Sequence, residues 1–158
     1  MKILVLFFEA PYEEFHLRKI AKLANVSSST AKRFLDFYEE IQFLIKSRKA
    51  NLALFKANAE NVAFRQMKLG YFLIRTRSLT DFLNEMYPNS SIVLDGSCAR
   101  GEDDKDSDID FLVISKKTGK VDLTGFERKL GRKITLIVYT PVNGKKKLRK
   151  IRRFTKEL

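Results

Sequence analysis

Two aspartates in the second half of the chain have the type and spacing of metal ligands. Asp108 and Asp110 are separated by one residue, Ile109, at the start of an apolar run. Side chains alternate between the two faces of a strand, so both carboxylates would point the same way while Ile109 points to the core. Such a pair binds Mg²⁺ or Mn²⁺ together with phosphate oxygens and water. We therefore interpret Asp108 and Asp110 as candidate metal ligands and catalytic residues.

A glycine-serine pair, Gly96-Ser97, precedes these aspartates at a predicted turn from a strand to a helix. Glycine lets the backbone approach a phosphate closely, and the following amides and the Ser97 hydroxyl can donate hydrogen bonds to it. Arg100 could reach a phosphate or pair with an acidic residue of its own loop, and the second role is favoured. The candidate phosphate-binding residues are therefore Gly96 and Ser97, together with Arg100 in the first of its two possible roles.

The periodicity of apolar residues predicts the elements that position this segment. Strands are predicted at Ser91–Leu94, Asp108–Ile114 and Lys133–Tyr139, with a helix at Leu123–Leu130 between the last two. Two further helices are predicted upstream, at Asn61–Thr76 and Ser78–Tyr87. Strands that alternate with helices indicate a small mixed sheet with flanking helices, an α/β (α+β) fold.

The first half has a different layout, with three predicted helices followed by a hairpin. The helices are predicted at Ile3–Phe8, at Glu13–Ala24 and, after an N-cap at Ser27, up to about Glu40, and the strands at Gln42–Ile45 and Leu52–Phe55. This order is typical of a winged helix-turn-helix, in which the start of the second helix of the motif enters the major groove of DNA.

The candidate residues for contacting double-stranded DNA are polar or basic side chains at that helix start and at the tip of the hairpin. They are Ser28, Ser29, Thr30, Lys32 and Arg33 on the helix, and Lys46, Arg48 and Lys49 at the tip. Winged helices also bind proteins, and Asp36, Glu39 and Glu40 reduce the positive charge of this face. A protein partner is therefore the alternative.

The charge of the chain is high and uneven. A net charge of +12 favours polyanionic partners such as nucleic acid or nucleotides, although a basic surface can also serve solubility alone. Against this background the segment from Glu102 to Asp110 holds six acidic residues, which indicates cation binding. The single cysteine, Cys98, excludes an intramolecular disulfide and indicates a cytoplasmic setting. No apolar stretch approaches the length of a membrane span.

The acidic segment and its surroundings resemble the minimal nucleotidyltransferase branch of the DNA polymerase β-like superfamily. The residues that match its pattern are Gly96, Ser97, Arg100, Gly101, Ser107, Asp108 and Asp110. The resemblance implies Mg²⁺ or Mn²⁺ and a nucleoside triphosphate, with ATP expected, as substrate or ligand. It also implies transfer of a nucleoside monophosphate to a hydroxyl on a protein or nucleic acid. The first half resembles archaeal-type winged-helix regulators.

Two departures from the pattern keep other functions open. The resemblance implies a third carboxylate on the last strand, but Thr135 occupies that position, and Asp95 stands where an apolar or aromatic residue is usual. Asp122 is the nearest other acid. The chain could therefore be a transcriptional regulator with a catalytically inactive domain that acts as a nucleotide sensor or dimerisation unit. An antitoxin-like partner of a small helical toxin is a third possibility.

These observations predict four parts of the chain. A winged helix-turn-helix DNA-binding domain is expected at 1–57, linking helices at 58–88 and a nucleotidyltransferase-like domain at 89–142. A basic tail follows at 143–158. Winged-helix regulators are frequently dimers, so a homodimer is a further expectation.

Overall fold

The computed structural model describes residues 2–141, so the predicted basic tail at 143–158 lies outside the described residues. Across residues 2–141, seven helices and two three-stranded sheets form a mixed α/β architecture, which confirms the predicted fold class at that level. The chain divides into two compact units. Among the described residues, the first runs up to Tyr71 and includes Arg100–Asp106, and the second comprises Phe72–Ala99 and residues 107–141.

The first unit contains three helices, a small antiparallel sheet and the start of a fourth helix. Its elements are α1 (Lys2–Glu9), β1 (Phe15–His16), α2 (Leu17–Ala24), α3 (Ser28–Glu40), β2 (Leu44–Lys49), β3 (Leu52–Ala57) and α4 (Val62–Arg75). The strands lie in the order β1-β3-β2. Buried apolar side chains of α1, α2, α3 and β3 pack into one core, with Phe7, Ile20, Ala31 and Leu35 fully enclosed. As predicted, Ser27 caps α3 by accepting the Thr30 amide at 3.1 Å.

The predicted helix over Glu13–Ala24 is wrong in its first four residues. Phe15 and His16 form β1 and pair antiparallel with Phe55 and Leu54 of β3. The helix begins only at Leu17, where the His16 Nδ1 accepts the Lys19 amide at 3.2 Å as an N-cap. Pairing with a strand distant in sequence therefore overrides the local helical spacing of Phe15.

The predicted hairpin also differs at its tip. β2 extends from Leu44 to Lys49 and pairs with β3 as far as Leu52, so the turn consists of Ala50 and Asn51. Lys46, Arg48 and Lys49 therefore lie along a strand and not in a basic loop. The cross-strand register extends β2 beyond its apolar residues, because backbone hydrogen bonds of an edge strand do not require apolar side chains.

Residues Arg100–Asp106 are held within the first unit by α4. The Lys68 amine binds Asp103 in an ion pair at 3.2 Å, with both side chains buried, and Arg65 binds Glu102 at 2.9 Å. Gly101, at φ +68°, passes so close to α4 that a Cβ there would lie 2.5 Å from the Arg65 carbonyl oxygen. Glycine is thus required at this point, and the segment has a defined path.

The second unit is built on a mixed sheet of three strands in the order β4-β5-β6. Its elements after α4 are α5 (Arg77–Met86), β4 (Ser91–Asp95), α6 (Gly96–Arg100), β5 (Ile109–Ile114), α7 (Thr124–Leu130) and β6 (Ile134–Tyr139). β4 runs antiparallel to β5, and β6 runs parallel to it after the α7 crossover. Ile109, Phe111 and Val113 alternate into a core with Leu79 and Leu83 of α5. The opposite face of β5 is therefore the one that carries Asp110.

Candidate active site

Three polar side chains lie in one row across the face of the second sheet that is turned away from its core. Asp110 of β5 pairs with Asp95 of β4 on one side and with Thr135 of β6 on the other. Paired residues of adjacent strands point to the same face, so these side chains are neighbours. Asp108 lies one residue before β5 and is exposed, whereas Asp110 is half-buried.

The turn at Gly96 lies directly against the Asp110 carboxylate. Gly96 has φ +70°, and a Cβ built at this position would be 2.6 Å from Asp110 Oδ2. Glycine is thus needed for two reasons, since the backbone is left-handed and the space of a side chain is already taken. The Gly96 amide donates to Asp95 Oδ1 at 2.9 Å. The amide and hydroxyl of Ser97 are then the next donors along the turn.

Helix α6 meets the start of β5 at a second point. The Cys98 thiol, which is buried, donates to the Asp108 carbonyl oxygen at 3.4 Å. Gly96 therefore contacts Asp110 while Cys98 contacts the Asp108 backbone, and half-buried Ser97 lies between them. The fold brings together the glycine-serine turn and the two aspartates, which are separated in sequence.

Arg100 takes part in an ion pair of its own loop. Its Nε donates to Glu102 Oε2 at 2.6 Å, and this hydrogen bond is the main reason why the pKa of Glu102 lies below its usual range. Both residues belong to the first unit. The contact is the loop-stabilising role that the sequence favoured for Arg100.

Asp122 is engaged at the start of α7. Its Oδ1 accepts hydrogen bonds from the Thr124 hydroxyl at 2.6 Å and the Thr124 amide at 2.9 Å. These bonds, the one from the hydroxyl first, lower the pKa of the Asp122 carboxyl. Asp122 thus stabilises a helix start and stands outside the row of Asp95, Asp110 and Thr135.

An open groove of about 620 Å³ lies on the other face of the same sheet. Its walls include residues of the loop before α7, and Ile134, Leu136 and Val138 of β6. These residues alternate with Thr135, so the groove and the row of polar side chains are on opposite faces. The groove therefore does not contain the predicted metal ligands.

A family model for the nucleotidyltransferase domain matches residues 76–158, just over half of the chain. The chain belongs to the nucleotidyltransferase family. No curated protein matches it significantly. The matched residues contain all three strands of the second sheet and α6, so the family assignment supports a nucleotidyl-transfer function for this part of the molecule.

Nucleotidyltransferases generally use a nucleoside triphosphate and a divalent metal, and the donor set of this site fits such an ion. Mg²⁺ in phosphoryl-transfer sites is bound by one or two carboxylates, with phosphate oxygens and water completing the shell. Asp108 and Asp110 provide two carboxylates, and that of Asp110 lies against a turn that has no side chain at Gly96. Among residues 2–141, no group of three or more His, Cys, Asp or Glu side chains is arranged to hold a metal ion.

The structure places Thr135 directly beside Asp110 on the parallel neighbour strand. In this nucleotidyltransferase, the strand that follows Asp-x-Asp therefore presents a neutral hydroxyl to the row. On the antiparallel side the row contains a carboxylate, Asp95. The acidic groups of the row are thus on β4 and β5, and β6 contributes none.

The residues predicted to contact DNA lie on the first unit, where several are engaged in local bonds. Ser28, Ser29, Lys32 and Arg33 are exposed on α3. The Ser27 hydroxyl hydrogen-bonds the hydroxyls of Ser29 and Thr30, each at 2.9 Å, as part of the cap. Lys32 pairs with Asp36 at 2.6 Å, whereas the Arg33 guanidinium lies over the Phe34 ring.

Two of the basic residues of β2 also form ion pairs with acidic residues of the first unit. Lys46 binds Glu39 at 3.0 Å and Lys49 binds Glu14 at 2.7 Å. The latter bond is the main cause of the lowered pKa of Glu14. Arg48 is exposed. The fold thus neutralises part of the predicted positive surface within the unit itself.

Sequence reasoning missed one residue of this region, Arg132. Its guanidinium donates to the Ser107 carbonyl at 2.6 Å and to the Asp108 carbonyl at 3.3 Å. In the sequence Arg132 stands beside Lys133, and nothing in their types distinguishes a residue that contacts the site from an exposed cation. Only the path of the chain after α7 brings Arg132 to Asp108.

Substituting Gly96 with alanine tests the contact with Asp110, and Gly131 provides a matched control. Both glycines have nearly the same backbone angle, φ +70° and +68°, but nothing lies within 4 Å of a Cβ at Gly131. We expect Gly131→Ala to lower the free energy of unfolding by about 1 kcal/mol through left-handed strain alone. Gly96→Ala should cost more, because the methyl group also displaces the Asp110 carboxylate.

Urea denaturation of the two variants measures this difference. Equal losses of unfolding free energy for Gly96→Ala and Gly131→Ala would show that the Gly96 backbone does not closely approach the Asp110 carboxylate in solution.

Proposed function

We propose that the second unit binds a nucleoside triphosphate with Mg²⁺ and transfers its nucleoside monophosphate to a hydroxyl on a protein or nucleic acid. Asp108 and Asp110 would hold the metal, and Gly96 and Ser97 the phosphates. The observation that carries this proposal is the contact between the Gly96 turn and the Asp110 carboxylate. It leaves a side-chain-free backbone beside the Asp110 carboxylate, as a metal-bound polyphosphate requires.

The proposed reaction needs little covalent chemistry from the protein. The acceptor oxygen forms a bond to the α-phosphorus, the bond from that phosphorus to the bridging oxygen breaks, pyrophosphate leaves, and the acceptor proton passes to solvent. A bound divalent metal supplies charge neutralisation for the phosphates. The Ser97 amide and hydroxyl can donate to a phosphate oxygen, and the pairing of β5 with both neighbouring strands keeps Asp110 in place.

Titration with labelled ATP in the presence and absence of Mg²⁺ tests the metal-binding role of the aspartates. Replacing both, Asp108→Ala with Asp110→Ala, should weaken Mg²⁺-dependent ATP binding by more than about tenfold, which is about 1.4 kcal/mol. The control is Asp106→Ala, since Asp106 belongs to the same acidic segment but is exposed and lies in the first unit. Unaltered ATP binding by the double variant would rule out the proposed site.

A second candidate function is a regulator whose nucleotidyltransferase domain binds nucleotide as a sensor or dimerisation unit without turnover. The specific observation in its favour is Thr135 beside Asp110, because its neutral hydroxyl is a poor metal ligand and cannot serve as a general base at ordinary pH. Binding of a metal-nucleotide complex needs fewer carboxylates than activation of an acceptor hydroxyl does.

Thr135→Asp separates the two candidates. If the wild-type domain is inactive for want of the third acid, this variant should gain transfer of label from α-labelled ATP to an acceptor, whereas the wild type shows none. The matched control is Ile137→Asp, which places an acid two residues further along the same face of β6 at an already exposed position. Transfer by the wild-type protein would exclude the inactive regulator.

For the first unit we propose a winged helix-turn-helix that binds double-stranded DNA. Helices α2 and α3 followed by the β2–β3 hairpin support this proposal, together with the exposed basic residues of α3 and β2. Arg33 and Arg48 are its principal cations, since both are exposed and neither has an ion pair among the described residues. Lys32 contributes less because it is paired with Asp36.

Duplex binding measured over a range of salt concentrations tests this proposal. Arg33→Ala should weaken affinity by about 1–3 kcal/mol if the guanidinium reaches a base edge, with a smaller loss for Lys32→Ala. Arg77→Ala is the control, because Arg77 is exposed on the second unit. A flat response to salt, or equal losses for Arg33→Ala and Arg77→Ala, would indicate that the partner of this face is not DNA.

A further inference from the structure

We infer that Arg132 is a positioning residue that orients the Asp108 carboxylate by holding the backbone on which it stands. The inference rests on the proposed metal-nucleotide site. It adds to that site a residue from the turn between α7 and β6, which does not itself touch the proposed ligands. The role follows from the position of Arg132 in the fold and from the atoms to which its guanidinium donates hydrogen bonds.

The backbone of Arg132 is fixed by the end of α7. Gly131 adopts the left-handed conformation that ends this helix, and its amide donates to the Glu127 carbonyl at 2.8 Å. The Glu127 side chain accepts the Ile134 amide at 2.9 Å, which ties the helix to the first residue of β6. Arg132 therefore lies in a short turn between α7 and β6 whose two ends are held by hydrogen bonds.

The Arg132 side chain reaches the segment that enters β5. Its Nε donates to the Ser107 carbonyl at 2.6 Å, and one terminal nitrogen, Nη2, lies 3.3 Å from the Asp108 carbonyl and 2.9 Å from the Cys98 sulfur. The guanidinium also stacks over the Phe72 ring, with 5.7 Å between its carbon and the ring centroid. One planar group therefore connects the turn before β6, the entry to β5, and α6.

These bonds act where the sheet ladder has ended. The pairing of β5 with β6 begins at Ile109 and Ile134, so Asp108 lies just outside it. Outside the ladder, the direction in which a side chain leaves the backbone depends on how the carbonyl and amide groups of that residue are held. Arg132 fixes the carbonyls of Ser107 and Asp108 and thereby the direction of the Asp108 side chain.

Only arginine has the donors for this arrangement. The guanidinium presents five N–H groups in a rigid plane, whereas the lysine ammonium is a compact charge that cannot span two consecutive carbonyls in the same way. Arg132 is half-buried, so water competes only partly for these carbonyls. Displacement of a reacting or ligating group by about 1 Å can reduce activity about a hundredfold, so a small shift of Asp108 would be measurable.

The test measures Mn²⁺ binding to the full chain in the presence of ATP by electron paramagnetic resonance. Arg132→Met, which keeps a long stem against Phe72, should weaken Mn²⁺ binding about tenfold, and Arg132→Lys should lie between it and wild type. The control is Arg128→Met, since Arg128 is an exposed arginine on α7 of the same unit. Should Arg132→Met fail to fold, Arg132→Lys retains the charge and takes its place.

A double-mutant cycle distinguishes positioning from a general effect on the fold. In an Asp108→Ala background, Arg132→Met should produce no further loss of Mn²⁺ binding, because the residue through which it acts is gone. The same loss in both backgrounds, or unchanged binding by Arg132→Met, would overturn the inference and leave the proposed function intact. Absence of ATP-dependent Mn²⁺ binding by the wild type would overturn both.

Discussion

The close approach of the Gly96 backbone to the Asp110 carboxylate is the constraint on which the site depends. A Cβ at this position would be 2.6 Å from Asp110 Oδ2, so the turn can come this near only as glycine. The approach requires β4 to pair in register with β5, and it requires α6 to begin immediately after β4. Cys98 and Arg132 extend the same arrangement to Asp108. The geometry of the proposed site is therefore a consequence of strand register.

The chemistry of the site was more predictable from sequence than the elements of the first unit. Gly96-Ser97 and Asp108–Asp110 are local patterns, and strand alternation determines the face on which Asp110 lies. The strand at Phe15–His16 was not predictable, since its partners Phe55 and Leu54 lie far along the chain and Phe15 also fits a helical period. Arg132 was missed for the same reason. Its partners include backbone carbonyl oxygens. Every residue has a carbonyl, so the sequence does not show which of them accept a hydrogen bond from a side chain.

Charge is distributed differently in the two units. Basic residues of the first unit form local pairs, as Lys46 does with Glu39 and Lys49 with Glu14, so its positive surface is smaller than composition suggests. In the second unit the acids of the polar row stand on adjacent strands, Asp95 opposite Asp110. Like charges directly opposite each other destabilise a sheet. A cation bound near this row would reduce that repulsion, which agrees with the proposal that the nucleotide binds together with a metal ion.

The most direct test of the central claim is the effect of Mn²⁺ on the amide signals of the protein in solution. With ATP present, substoichiometric Mn²⁺ should broaden the signals of Gly96, Ser97, Asp108 and Asp110 beyond detection, because paramagnetic relaxation acts over short distances. Sharp signals at all four residues, or broadening centred elsewhere in the chain, would contradict the account.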